Sequence, residues 1–209
     1  MELIWDFDGT LFDTYPLMAR SLQRALLDEG KRVPLAEIRA HMAVSMSHTI
    51  QTYEREQGLT ASTLERYRNY VYQEGMQGAQ PFAHVQEICA RVVQQGGHNH
   101  LCTHRGASAI AYLEAHGLRD LFSVCVTAED GFPRKPAPDG VRHILACSGA
   151  PARCFVMIGD RELDVLAGQG AGIQACLYTN GQEGVATHAE YILKDFADFF
   201  DVIKEEETK

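Results

Sequence analysis

Residues 3–14 of the chain read Leu-Ile-Trp-Asp-Phe-Asp-Gly-Thr-Leu-Phe-Asp-Thr, a short apolar run that delivers two carboxylates two residues apart. Successive strand side chains point to opposite faces, so a strand that ends at Asp6 returns Asp8 to the same side. Gly9 lets the backbone approach a ligand without a clashing Cβ. Such a strand end can hold a hard divalent cation and present a nucleophile. The competing interpretation is an acidic turn without chemistry, because Asp and Gly are common turn residues.

Length and composition bound the class of protein. The chain has 209 residues, of which 45% are apolar and 22% charged, so we expect a globular protein with a buried core. The formal net charge of −9 argues against non-specific binding to nucleic acid or to a membrane surface. An anionic substrate would therefore need local positive charge from a metal or from a few placed Lys and Arg side chains.

The remaining compositional signals indicate a cytoplasmic protein. No stretch approaches the length of a membrane span, and the amino terminus does not resemble a signal peptide. The six cysteines form no C-x-x-C pair, and most lie in apolar segments. We expect them to be small buried side chains in a reducing compartment rather than disulfides or zinc ligands.

Hydrophobic periodicity divides the chain into two parts. Residues 14–79 carry helical patterns with little strand signal, which predicts a helical insertion with its own small core. From residue 80 onward helices alternate with short apolar runs, which predicts an α/β fold: a Rossmann-like parallel sheet with helices on both faces. The predicted domains are 1–13 with 80–209, and 14–79. The charged tail 204–209 is expected to fray.

Polar residues follow four of the predicted strands, at the point where each strand ends. They are Asp6 and Asp8 after the first strand, Thr103 to Gly106 after the second, Lys135 after the third, and Asp160 to Asp164 after the fourth. Ligands of open parallel sheets bind beyond the carboxyl ends of the strands, so these side chains should converge on one crevice.

The chemistry that this set suggests is phosphoryl transfer. Asp6 is a nucleophile that is already ionised at neutral pH, and Asp8 is placed to act as general acid and base. Asp6 and Asp160, with the backbone carbonyl of Asp8, can bind Mg²⁺. Thr103 and the backbone amides near Gly106 can donate to phosphate oxygens. Lys135 supplies a compact positive charge, and Asp164 is expected to orient Lys135 or metal-bound water.

The same residues resemble the four motifs of the haloacid dehalogenase superfamily of hydrolases, in order and over the whole chain. The motifs are carried by residues 6–14, by Thr103, by Lys135-Pro136 and by residues 159–164. The position of segment 14–79 is similar to that of the α-helical cap in the subgroup that includes the phosphoglycolate phosphatases and β-phosphoglucomutases. The resemblance implies an aspartyl-phosphate intermediate at Asp6, acid/base work by Asp8, and Mg²⁺ at Asp6, Asp8 and Asp160. His104-Arg105-Gly106 departs from the usual residues after the second motif.

Several further residues have two interpretations. We expect Thr103, His104, Arg105 and Lys135 to contact a phosphate ester. Arg105 and Arg161 are equally compatible with a solvated surface. His98, His100 and His104 alternate along a strand, but a histidine metal cluster is disfavoured because carboxylates already serve the metal. His41, Ser45 and His48 in the helical insertion are more readily structural than substrate-facing.

The leading hypothesis is a Mg²⁺-dependent phosphatase acting on a small phosphorylated metabolite, as a monomer or homodimer, without nucleic-acid or membrane partners. A phosphosugar mutase of the β-phosphoglucomutase type would use the same residues, although Gly9-Thr10-Leu11 is more typical of phosphatases. Dehalogenation is disfavoured because the dehalogenases lack an acid at the position of Asp8. The third alternative is a catalytically silent binding protein that keeps the fold.

Overall fold

The computed structural model describes residues 1–203, without the side chains of Ala43, Met76 and Gln77. The tail that was expected to fray, 204–209, lies outside the described residues. The chain divides into two units: the first holds residues 1–12 and everything described from Pro81 onward, and the second is Asp13–Gln80.

The first unit is built on a six-stranded sheet whose neighbouring strands all pair in parallel. The strands are β1 (Glu2–Trp5), β2 (His98–Cys102), β3 (Phe122–Val126), β4 (Phe155–Gly159), β5 (Gln174–Tyr178) and β6 (Tyr191–Leu193). Their spatial order is β3-β2-β1-β4-β5-β6. The chain therefore moves outward in one direction from β1 to β3 and in the other from β4 to β6. Right-handed crossovers then place helices on both faces, and the order reverses between β1 and β4.

Among the described residues of this unit, four helices precede or connect strands, and a fifth follows β6. They are α5 (Val85–Gln94), α6 (Ser108–Ala115), α7 (Asp139–Ser148), α8 (Glu162–Gly170) and the short α9 (Phe199–Val202). The central strands are almost entirely buried, which explains their continuous apolar sequences. In register, Ile4 of β1 lies between His100 of β2 and Met157 of β4. The indole Nε1 of Trp5 donates to Asn99 Oδ1 at 3.1 Å, so the buried Trp–Asn pair joins β1 to β2.

The second unit is helical and has its own core. Its helices are α1 (Tyr15–Leu27), α2 (Leu35–Val44), α3 (Met46–Gln57) and α4 (Ala61–Gly78). Leu22, Ile38 and Tyr53 belong to one buried cluster in this unit. Thr60 caps α4, since its Oγ1 accepts from the Thr63 backbone N–H at 3.2 Å. Ser45 caps α3 in the same way through the His48 N–H.

A 3₁₀ turn at Phe196–Asp198 precedes α9. The structure confirms the predicted α/β class with its parallel sheet and corrects part of the expectation for the cysteines. All six cysteines are unpaired, but only Cys89, Cys102 and Cys176 are buried, while Cys147 is exposed. Among residues 1–203, no helix combines the length and apolar character that a membrane crossing requires.

Candidate active site

The carboxyl ends of β1 and β4 are joined by backbone hydrogen bonds that continue past the strands. The Asp6 N–H donates to the Ile158 carbonyl at 2.8 Å. At the ends of β2 and β3, the Thr103 N–H donates to the Val126 carbonyl at 3.0 Å. After Asp6 the chain turns sharply, and Gly9 has a φ of 80° that favours glycine. The Gly9 N–H then donates to the Phe12 carbonyl at 2.9 Å. Asp6 and Asp8 therefore lie on a fixed backbone at the reversal of strand order.

Lys135 lies buried between two carboxylates that are distant in sequence. Its Nζ is 2.6 Å from Asp6 Oδ1 and 2.6 Å from Asp164 Oδ1, and it donates to the Cys102 carbonyl at 2.8 Å. No more than 3% of any of the three side chains is exposed. The second Asp6 oxygen, Oδ2, has no hydrogen-bond partner among the described residues and is also buried. A buried, unpartnered carboxylate oxygen is costly unless it serves a ligand or a reaction.

Charge coupling keeps Lys135 protonated, and burial leaves the pKa of Asp6 above its ordinary value. Burial raises the pKa of Asp6, Lys135 opposes that rise, and the nearby Asp164 reinforces it. Burial alone would lower the pKa of Lys135, but Asp164 and Asp6 outweigh it, so the net shift is upward. Lys135 therefore stays an ammonium ion.

Three carboxylates come together at this point. Asp6, Asp160 and Asp164 each offer one oxygen within 4.8 Å of the others. The three carboxylates differ in the contacts that the protein already makes with them. Asp164 pairs with Lys135 through Oδ1, and its Oδ2 accepts the Arg161 N–H at 3.2 Å. Asp6 keeps the buried Oδ2. The donor set is all oxygen, which suits Mg²⁺, and Asp6 with Asp160 are the pair best placed to hold it.

Asp164 reaches Lys135 because the chain makes room for it. Asp164 lies in the first turn of α8, where its carboxylate accepts from the backbone at the start of the helix. Gly159, the last residue of β4, faces it so closely that a Cβ at Gly159 would lie 2.2 Å from the Asp164 Cβ. Glycine at this position is therefore a requirement of the site.

Thr103 and His104 organise the loop after β2. Thr103 is buried, and its Oγ1 accepts from the Arg105 N–H at 3.1 Å. His104 Nε2 accepts the Lys135 backbone N–H at 2.7 Å. Burial, together with the nearby charges of Lys135, Arg134 and Arg161, lowers the pKa of His104 to about 3. The neutral imidazole thus holds the backbone of Lys135 in place through Nε2, whereas the sequence predicted that His104 contacts substrate.

Arg105 is engaged with Asp8. Its Nη2 lies 2.6 Å from Asp8 Oδ1, and its Nε lies 3.2 Å from Oδ1 and 3.4 Å from Oδ2. The Arg105 side chain is only 9% exposed. The two interpretations given by the sequence, surface residue and substrate contact, therefore both missed this ion pair. The sequence contained one signal for this ion pair. Arg105 is a cation two residues after Thr103, just beyond β2, and β2 is a neighbour of the strand that leads to Asp8.

The backbone amides expected to bind phosphate after Gly106 are partly occupied by a side chain of the protein. The Ala107 N–H donates to Glu129 Oε1 at 3.0 Å. Glu129 follows β3, and no sequence pattern connects it with the loop after β2. A carboxylate in this position shows that this N–H donates to an anionic group.

The remaining histidines lie elsewhere. Glu2, at the opposite end of β1, is within 2.9 Å of His98 Nδ1 through Oε1 and of His100 Nε2 through Oε2. These three side chains form a hydrogen-bonded cluster, and none of them belongs to the group of carboxylates that could hold a metal ion among the described residues. In the helical unit His41 Nδ1 and His48 Nε2 lie 3.4 Å apart.

The protein thus has a parallel α/β sheet with carboxylates and a buried lysine at the carboxyl ends of its strands. This combination is typical of enzymes that act on anionic substrates. A family model described as haloacid dehalogenase-like hydrolase matches residues 3–178, and the chain belongs to this family. It is therefore a hydrolase.

Individual relatives agree with that assignment. The chain is 30% identical to a phosphoglycolate phosphatase of Yersinia pseudotuberculosis over 213 aligned positions, which cover 95% of this chain and 91% of the relative. A solved hydrolase from Streptococcus pneumoniae TIGR4 is 28% identical, with a TM-score of 0.65 over 85% of this chain and 92% of its own. A solved structure titled a predicted phosphoglycolate phosphatase from Haemophilus somnus has a TM-score of 0.80, covers 95% and 96% of the two chains and, at 21% identity, supports the fold alone.

Proposed function

We propose that this hydrolase is a Mg²⁺-dependent phosphatase that cleaves small phosphate monoesters through a covalent phosphate on Asp6. One observation carries the proposal. The Asp6 carboxylate is buried with Oδ1 fixed 2.6 Å from Lys135 Nζ, while Oδ2 has no hydrogen-bond partner among residues 1–203. A nucleophile needs this combination of a fixed direction and a reactive oxygen.

The reaction proceeds in two halves. In the first, a carboxylate oxygen of Asp6 attacks phosphorus, the bond from phosphorus to the ester oxygen breaks, and protonated Asp8 gives its proton to that oxygen, which leaves as an alcohol. In the second, water attacks phosphorus, Asp8 takes a proton from the water, and the bond to Asp6 breaks. Inorganic phosphate leaves, and both carboxyl groups return to their starting states. Thr103 and Lys135 hold the phosphate oxygens.

Local charge supports the need for a metal. Asp6, Asp160 and Asp164 face one buried ammonium, and Arg161 Nε lies 3.7 Å from Asp160 Oδ1. Counted with both cations, the group remains negative and would repel a phosphate dianion. Mg²⁺, when bound, offsets this repulsion and the charge of the nucleophile. Asp6 and Asp160 would hold it, with the backbone carbonyl of Asp8.

We propose further that the helical unit Asp13–Gln80 acts as a cap that selects the substrate. It is inserted between β1 and β2, the strands that lead to Asp6 and Thr103. Because the Yersinia relative is named a phosphoglycolate phosphatase, 2-phosphoglycolate is the first substrate to test, followed by a panel of phosphorylated metabolites.

The test is release of p-nitrophenolate and inorganic phosphate from p-nitrophenyl phosphate with Mg²⁺. We expect wild-type turnover that EDTA abolishes, and loss of roughly 10³-fold or more in Asp6→Asn, since that change removes the nucleophile. Asp120→Asn is the matched control because it makes the same change at an exposed turn before β3. Full activity in Asp6→Asn would refute the mechanism.

The other outcomes identify the alternatives. Conversion of a sugar phosphate to its isomer without release of inorganic phosphate would indicate a phosphosugar mutase. Absence of turnover with every ester in the panel, despite Mg²⁺, would indicate a silent binding protein.

A further inference from the structure

We propose that Arg105 is a positioning residue that sets the orientation of the Asp8 carboxylate for proton transfer. The inference rests on the proposed function, because it assigns Asp8 the acid/base step. It differs from the expectation that Arg105 binds the substrate phosphate.

The contacts between the two side chains have the form of a fork. The two shortest, from Nη2 at 2.6 Å and from Nε at 3.2 Å, converge on Asp8 Oδ1, and a longer one reaches Oδ2 from Nε at 3.4 Å. A planar guanidinium that contacts both carboxylate oxygens fixes the plane of the carboxyl group as well as its position. Proton transfer depends steeply on both.

Arg105 is itself held on several sides. Its backbone N–H donates to Thr103 Oγ1, and its carbonyl accepts from the Ala128 N–H at 3.0 Å. Its Nη1 lies 3.4 Å from Ser108 Oγ, so α6 supports the far side of the guanidinium. An arginine so constrained loses little entropy when it holds a partner.

Two aromatic rings lie close to the Arg105 guanidinium group. Its carbon Cζ is 5.2 Å from the centroid of the Phe7 ring and 5.4 Å from that of Tyr112, both within the range of cation–π attraction. The two rings meet edge to face at 5.5 Å, and Phe12 stacks on Phe7 at 4.7 Å. Phe7 separates Asp6 from Asp8 in sequence, and its ring lies beside the cation that orients Asp8.

A positioning role and a phosphate-binding role predict different kinetics. If Arg105 acts through Asp8, Arg105→Ala should lower kcat roughly 10- to 100-fold, a part of the usual contribution of general acid–base catalysis. The inhibition constant for inorganic phosphate should change less than about threefold, because no phosphate contact is lost. Arg105→Lys should recover little, since an ammonium lacks the fork.

A comparison of substrates with different leaving groups gives a second test of the positioning role. Protonation matters most when the leaving oxygen is basic. Arg105→Ala should therefore lower kcat/KM more for the alkyl phosphate that the wild type hydrolyses fastest than for p-nitrophenyl phosphate, whose leaving group needs little protonation.

The decisive experiment is a double-mutant cycle with Asp8→Asn. The Arg105→Ala effect should shrink to less than about threefold in the Asp8→Asn background, because the two changes remove one function. Thermal unfolding of each variant separates loss of fold from loss of position, and added guanidinium ion should restore part of the activity of Arg105→Ala. Arg153→Gln is the control for charge, since it removes one exposed cation.

Two results would overturn the assignment. One is a tenfold or larger rise in the phosphate inhibition constant in Arg105→Ala, which would make Arg105 a substrate contact. The other is an undiminished Arg105→Ala effect in the Asp8→Asn background. Both differ from failure of the proposed function, in which the wild type itself turns over no phosphate ester.

Discussion

Replacement of Lys135 by Met is expected to destabilise the first unit strongly at neutral pH. Met keeps most of the length and apolar character of the lysine side chain but removes the ammonium group. The change leaves Asp6 and Asp164 buried and facing each other, with oxygens within 4.8 Å. At that separation, Coulomb's law with an effective dielectric constant of about 20 gives a repulsion of at least about 3 kcal/mol if both stay ionised.

The attraction lost is larger but is offset by desolvation. At 2.6 Å each lysine–carboxylate contact corresponds to an attraction of about 6 kcal/mol on the same scale. Burying the charges costs several kcal/mol for each ion, and proton uptake by one carboxylate relieves part of the repulsion. The net loss should therefore resemble that of other broken buried pairs, about 3–5 kcal/mol.

Urea unfolding in EDTA, followed by fluorescence, measures this loss. The chain's single tryptophan, Trp5, lies in β1 next to Asp6 and is fully buried, so it reports on the unit that contains the site. The double variant Lys135→Met/Asp164→Asn should recover at least half of the lost free energy, because the repulsion is gone. If Lys135→Met unfolds within about 1 kcal/mol of wild type, or if the double variant is no more stable than the single one, the electrostatic argument is wrong.

Three further predictions concern other parts of the first unit. Acid should destabilise it: burial lowers the pKa of His100 below 6.5, and the pKa of Glu2 is lowered below 4.5 because hydrogen bonds from its two histidine partners outweigh burial. Both groups then bind protons more readily in the unfolded chain, so the free energy of unfolding should fall as pH drops from about 6.5. In urea titrations His100→Asn should flatten the fall between pH 6.5 and 5, and an unchanged slope would contradict this. Gly159→Ala should cost about 1–3 kcal/mol and most of the activity, because its Cβ would displace Asp164. Gly170→Ala, whose Cβ meets Pro138 at 3.3 Å, should be milder, and equal melting temperatures for the two variants would refute the steric account. Finally, calorimetric titration of inorganic phosphate should show at least about tenfold weaker binding in EDTA than with Mg²⁺, and equal affinities would show that the protein's own cations suffice.

The sequence predicted the architecture well because the signals that determine it are local. The short apolar runs that alternate with helical patterns from residue 80 onward predicted an α/β fold with a parallel sheet, which the structure confirms. The meeting of Asp6, Lys135 and Asp164 also followed, since parallel strands end at one edge of a sheet. What sequence reasoning missed were contacts between loops. The Arg105–Asp8 pair and the contact of Glu129 with the Ala107 amide depend on side-chain directions that no periodicity specifies.

The pairs Lys135–Asp6 and Arg105–Asp8 differ in burial, and this difference fits two different roles. Lys135 is 3% exposed and Asp6 2%, so their charges act on each other with little screening and the nucleophile has a fixed direction. Asp8 is 21% exposed in its pair with Arg105, and water can therefore reach the group proposed to take a proton from it. A carboxylate as deeply enclosed as Asp6 would have no such route, whereas an unsupported exposed one would lack direction. Arg105 gives Asp8 orientation without full burial, which is why we assign it to position the acid/base group and not to bind the substrate.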